Sequence, residues 1–221
     1  HKPDRRQRQM CIRDRRTIFA EGLHLPTGFL LGHGGAYVVS QPNLLHLRDT
    51  DGDLRADDCR VVLHGFGSED SHHSMSAFTW RPDGSMYFNE GTFHHTQIET
   101  PHGPRRLRNG GIIRYQPTTE EVEVVVSFPF ANPWGHTLDA WGQSIISDAS
   151  NGYNYRLPHL MGAHHYPDDM KSHGPFRGVR SFTPGGRRPS AGGVVLRSRH
   201  FPDEVQDCLL YTSPSPRDLY R

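Results

Sequence analysis

The chain has 221 residues, with 25 Lys and Arg against 24 Asp and Glu and three cysteines. Cys11, Cys59 and Cys208 form no CxxC, no CxxCH haem motif and no disulfide framework. No apolar run reaches the roughly 18 residues that a transmembrane helix needs, so no span is expected.

The two ends read as foreign to the protein. One short DNA element accounts for both: one strand encodes Cys208 to Ser213, and its complement, in another frame, encodes Met10 to Asp14. The element resembles the transposon adapter used in sequencing libraries. Residues 1–15 and 208–221 are therefore expected to be adapter-derived and to dock poorly or not at all, and they are set aside as an expression scar would be. They take eight Lys and Arg and three Asp and Glu with them, so residues 16–207 hold 17 against 21, a net charge of −4. The basic stretch Arg5-Arg6-Gln7-Arg8 goes too, and with it the only feature pointing to nucleic acid. The 192 remaining residues suffice for one substantial core.

The first predicted strand pair lies in GFLLGHGGAYVVSQ from Gly28, with a turn at Gly34-Gly35. The next is NLLHLRDTDGDLRADDCRVVLHGF, read as strand, acidic turn, strand. A third pair, AFTWRPDGSMYFNEG from Ala77, turns at Pro82-Asp83-Gly84: Pro presets φ, Asp tolerates turn geometry and Gly supplies a positive φ. Then RRLRNGG reads as a short solvated basic turn, and GGIIRYQPTTEEVEVVVSFPF as two strands around a Pro-Thr-Thr-Glu turn. HTLDAWGQSIISDAS from His136 repeats the first and third patterns with its turn at Trp141-Gly142. Residues 151–190, rich in His, Gly and Pro, read as a long insertion over one face.

The turn glycines Gly35, Gly84 and Gly142 fall 49 and 58 residues apart. Two hairpins per such period make a four-stranded propeller blade, and helical periodicity is scarce. The expected fold is all-β: an incomplete β-propeller over residues 16–207, with about three to four blades at roughly 40–50 residues each. A β-sandwich is the competing architecture.

Three groups of residues could carry chemistry. Asp49, Asp51, Asp53 and Asp57 place alternating carboxylates in one loop, the hard oxygen donors that calcium takes; the same acids also suit a solvated hairpin turn. Arg60 and Leu54 stand where an EF-hand needs Glu and Gly, so that motif is excluded. Asp70, His72 and His73, with Glu69, put imidazoles beside carboxylates just before a strand. That pairing suits general-base chemistry, and it also fits two ordinary loop histidines. Asn132, Trp134 and His136 precede the last repeat, where the Trp ring could stack on a flat ligand or seal two blades. His94, His95, His102, His164 and His165 show no HxH or HExxH spacing for a transition metal. There is no Walker loop, GxGxxG or GxSxG.

Taken together, LPTGFLLGHGGAYVVSQPNLLHLRDTDGDLRADD, GFGSEDSHHSMSAFTWRPDGSMYFNEG, ETPHGPRRLRNGGIIRYQP, NPWGHTLDAWGQ and SRHFPDEVQ resemble the membrane-bound-dehydrogenase-type proteins of planctomycete-type bacteria. Those in turn resemble soluble quinoprotein glucose dehydrogenases and aldose sugar dehydrogenases. The resemblance implies a six-bladed quinoprotein glucose dehydrogenase-like propeller, a periplasmic or cell-envelope location, and a sugar or related alcohol as small-molecule substrate. It also implies pyrroloquinoline quinone (PQQ) as cofactor and a haem-binding cytochrome c domain in a part of the protein outside these 221 residues. In the blade motif H-x-x-G-R-L-x-x-x-P-D-G the His is the general base. His73 stands nine residues before Pro82 and takes that position, with His72 and Asp70 beside it, while Ser76-Ala77 replace the Gly-Arg. The quinone motif R-N-P-x-G reads Ala131-Asn132-Pro133-Trp134-Gly135, in which Asn132 matches and Ala131 replaces the Arg; Trp134 and His136 in the same loop complete the candidate cofactor-binding set. The alternative is a non-catalytic propeller that binds carbohydrate or a protein partner.

Overall fold

The computed structural model describes residues 16–128, 130–150, 153–157 and 192–210. Among these the chain is all-β: antiparallel sheets, two single 3₁₀ turns and no α-helix. None of its helical turns is long and apolar enough to cross a membrane.

The first sheet is a plain meander of β1 (Phe29–Gly32), β2 (Gly35–Ser40), β3 (Asn43–Arg48) and β4 (Asp58–His64), in the order β1-β2-β3-β4. Its first turn is His33-Gly34, at φ 50° and 76°, one residue earlier than the expected Gly34-Gly35. Two positive φ values give a type I′ hairpin, whose twist matches that of the strands it joins. Gly35 instead opens β2 and must lack a side chain, because a Cβ there would lie 2.2 Å from the Leu47 carbonyl oxygen.

The second sheet contains β5 (Ser76–Trp80), β6 (Met86–Glu90), β9 (Gly111–Gln116) and β10 (Glu121–Ser127), in the order β10-β9-β6-β5. Between β6 and β9 the chain leaves the sheet as a separate hairpin, β7 (His95–Ile98) with β8 (Arg105–Arg108). The segment expected as a solvated basic turn is thus a strand. Leu107 and Ile98 are fully buried against the core, and the Arg105 and Arg106 side chains donate to the Val122 carbonyl and the Gln97 amide oxygen. The third sheet is β11 (Pro133–Leu138), β12 (Ser144–Asp148) and β13 (Tyr153–Leu157), in that order. Most of the expected 151–190 insertion lies outside the described residues, as do His164 and His165. Last, β14 (Val194–Val195) pairs with β15 (Leu209–Leu210), which falls within the end set aside as adapter-derived.

The alternation of β6 and β9 explains how the sheets stack. Met86, Phe88, Ile113 and Tyr115 face the first sheet and share a core with Val39, Leu44 and Phe66. Tyr87 and Ile112, one residue out of phase, face the third sheet and pack with Phe130 and Ile146. A strand with apolar residues on both faces is buried on both, and every residue of β6 is buried. Burying a ring such as Phe88 contributes roughly 2–3 kcal/mol. Successive antiparallel sheets stacked face to face, each entered through the same Gly-bearing hairpin, are the blades of a partial β-propeller.

The repeat extends to turn chemistry. Asp83 Oδ1 accepts the Ser85 N–H at 2.9 Å, with Gly84 at φ 78°. Asp139 Oδ1 accepts the Trp141 and Gln143 N–H groups at 2.9 Å, with Gly142 at φ 78°. Both turns lie at one end of the blades. The starts of β5 and β11 and the ends of β6 and β12 lie at the other, where the Asn89 amide donates to the Pro133 carbonyl at 2.9 Å and ties two blades together.

Candidate functional site

The second end of the blades gathers the titratable residues. Asp70 caps the 3₁₀ turn Ser71–His73: its Oδ1 accepts the His72 N–H at 2.8 Å. The carboxylate then sits between two imidazoles. His72 Nδ1 is 3.3 Å from Oδ1, and His73 Nδ1 is 3.2 Å from Oδ2. The rings differ in burial, since the His72 side chain is 85% exposed and that of His73 only 12%. The His72 N–H holds the Asp70 carboxyl below its usual range against a small desolvation, and His73 adds to the effect. His73 Nδ1 is buried at ion-pair distance from the carboxylate without the geometry of a hydrogen bond, and among the described residues nothing bonds its Nε2.

Two close backbone approaches fix the His73 position. The Gly91 N–H donates to the His73 carbonyl at 2.8 Å, and a Cβ on Gly91 would lie 2.8 Å from the His73 Cβ. Gly110 lies against Gly91 in turn, at φ 96°.

Behind Asp70 lies a second layer that sequence reasoning saw only as scattered histidines. His94 is fully buried; its Nε2–H donates to the Asp70 carbonyl at 2.8 Å, and its Nδ1 lies 3.6 Å from both Glu69 and Glu90. Glu69 Oε1 accepts from the His95 N–H and lies 3.2 Å from His95 Nδ1. Partial burial opposes its ionisation, but its own N–H and the His95 groups outweigh that and keep it low. Glu90 is fully buried, and that desolvation pushes it up to about 8, so it is a carboxylic acid at neutral pH. The Thr96 hydroxyl accepts the Gly67 N–H and stands 2.6 and 2.7 Å from the two Glu90 oxygens, with one proton to give. Glu90 was missed because it ends the apolar strand Met-Tyr-Phe-Asn-Glu, where a solvated strand terminus is the ordinary reading. The signal available was a lone acid following a stretch buried on both faces.

Asn132 and Trp134 lie at the same end of the blades, and the structure brings them to each other. The Asn132 amide donates to Ser150 Oγ and its Oδ1 receives Trp134 Nε1 at 3.4 Å. Trp134 is 58% exposed. His136 points inward instead, with Nε2 at Ser144 Oγ and its ring tilted on Tyr87. As a cradle for PQQ, a tricarboxylate, the set fits poorly. The Asn132 amide is committed within its own loop, His136 is buried, and Ala131 offers no cation. Only the Trp134 ring presents a flat open surface.

The acidic loop sits at the opposite end, with the hairpin turns. Asp49, Asp51 and Asp53 bring one oxygen each within 4.8 Å of the others. Asp57 is drawn away, accepting the Thr50 N–H at 2.8 Å and its hydroxyl at 2.5 Å. Asp49 already receives the Gly52 and Leu54 N–H groups, which hold its carboxyl low. Each of those oxygens keeps a second lone pair, so the trio fits a hard cation. Two concavities lie away from the histidine cluster. One, of about 650 Å³, is apolar, under residues 16–23; the other, of about 660 Å³, lies between the Arg81 and Trp141 turns.

No curated protein matches this chain. Among solved structures, a luciferin-regenerating enzyme matches at 7% identity and TM-score 0.38, over 87% of this chain and 79% of its own. The PQQ domain of pyranose dehydrogenase from Coprinopsis cinerea matches at 14% identity and TM-score 0.33, over 66% of this chain. The chain spans 55% of that domain. From residue 11 to residue 217 the chain matches, and belongs to, the family described as a domain of unknown function, DUF7133.

Proposed function

We propose that the His73 end of the blades is the reaction face of a dehydrogenase-like propeller acting on sugars or related alcohols, with His73 as general base. The observation that supports this most directly is the pairing of His73 Nδ1 with the ionised Asp70 at 3.2 Å on a nearly buried ring. A carboxylate this close to Nδ1 favours the ring proton on that side, which would leave Nε2 as the basic nitrogen, and it stabilises the imidazolium formed when a hydroxyl gives up its proton. His72, exposed on the same carboxylate, lines the approach. The hydride would need a quinone-class acceptor that the Asn132 loop does not cradle; what these residues themselves supply is orientation of the hydroxyl and a place for its proton.

The committed Asn132 amide and the missing cation at Ala131 favour a second reading, a propeller that binds carbohydrate without oxidising it. PQQ and calcium added to the chain, with dye reduction followed over a panel of sugars and alcohols, separate the two. Reduction that disappears in His73→Ala is the expected result. No reduction with any substrate, and no rise in melting temperature with PQQ, leaves only the binding reading.

A further inference from the structure

We propose that Phe93 is the platform on which the apolar face of a pyranose ring rests while one of its hydroxyls reaches Nε2 of His73. This rests on the assignment of His73 as the reaction face and names the part of the site that recognises the substrate.

Phe93 is anomalous in three ways at once. Its φ is 74°, a left-handed conformation that a bulky residue adopts only under constraint. The residue is 57% exposed and joins none of the apolar clusters. And it stands beside His73, with centroids 5.7 Å apart and planes at 68°. The loop carrying it is anchored on both sides. The Gly91 N–H is bound to the His73 carbonyl, the His94 carbonyl accepts the Asn109 N–H at 3.0 Å, and the His94 side chain is fully buried. The exposure is therefore imposed by fixed flanks. Core packing gains little from a strained residue left largely in water, and glycine would occupy the position at lower cost.

The surroundings select the ligand. An apolar ring face next to His73 and a carboxylate suits a molecule with a C–H face and a rim of hydroxyl groups. Glu69 and Asp70, both held ionised, disfavour a phosphate-bearing or other anionic ligand that would otherwise stack equally well. A pyranose meets both conditions.

Saturation-transfer NMR on the full chain with D-glucose and D-galactose tests this without needing turnover. Wild type and His73→Ala should both transfer saturation to the sugar C–H protons. Phe93→Tyr should retain it, and Phe93→Ala should weaken binding about five-fold, the value of roughly one aromatic contact. Phe93→Gly, relieved of strain, should melt no lower than wild type. Unchanged transfer in Phe93→Ala, no transfer to either sugar in wild type, or a Phe93→Gly variant melting several degrees lower would each overturn the assignment. Sugar binding without dye reduction would retain Phe93 and remove the dehydrogenase; reduction of linear alcohols with no sugar binding would do the reverse.

Discussion

His94 Nε2 donates to the Asp70 carbonyl oxygen across 2.8 Å, from a ring with no exposed surface. The bond puts a proton on Nε2, and the ring turns its Nδ1 towards Glu69 and Glu90. One buried imidazole thus holds the cap of the 3₁₀ turn that presents His73, while touching the protonated acid behind it.

Replacing that ring removes both a buried hydrogen bond and its volume. His94→Ala should destabilise the chain by about 2–4 kcal/mol. Hydrogen exchange should rise first at the amides of His72 and His73, whose turn loses its anchor. A loss of stability with unchanged exchange there would mean that His94 only fills space.

Glu90 predicts a pH dependence of stability. Its folded value, about 8, lies above the ordinary 4.5, so between those values the folded chain keeps a proton that the unfolded chain has released. The acid's contribution is full below about pH 4.5 and is lost as the pH rises through about 8. Glu90→Gln imitates the protonated acid. Denaturant midpoints from pH 5 to 9 should fall in wild type and stay flatter in the variant, which should be the more stable of the two at pH 9. Parallel curves would contradict the assignment.

Ala77 sits at φ 52°, in the irregular stretch between Ser76 and Thr79 where β5 meets the His73 turn. Ala77→Gly should therefore stabilise by about 1 kcal/mol, seen as a raised melting temperature. The opposite holds at Gly65, at φ 102°, where a Cβ would lie 2.0 Å from the Gln97 carbonyl oxygen. Gly65→Ala should lower the melting temperature sharply.

The acidic loop makes a separable prediction. If calcium binds Asp49, Asp51 and Asp53, it should raise the melting temperature of wild type and of Asp57→Asn, because Asp57 is occupied with Thr50. Asp51→Asn should abolish the rise. Melting that neither calcium nor chelator moves removes the cation.

The strands, their antiparallel pairing and the blade repeat were legible because local rules specify them. Asp83-Gly84 and Trp141-Gly142 carry their own turn chemistry, and the two-sided apolar run of β6 announces a strand between two sheets. Asp70, His72 and His73 were legible for the same reason, being neighbours within one turn. The β7–β8 hairpin was not, because its alternation is short and its charged face conceals Leu107.

What the sequence determined by itself, then, is the all-β repeat and the residues that meet within a few positions along the chain. Tertiary structure alone decided that Glu69, His94 and Glu90 converge behind Asp70, that Asp49 lies at the far end of the blades, and that Phe93 is exposed beside His73. The physical reason is that these outcomes depend on burial and on long-range register. Burial turns Glu90 from a solvated anion into a neutral acid, and the stacking of separate blades sets which loops share an end.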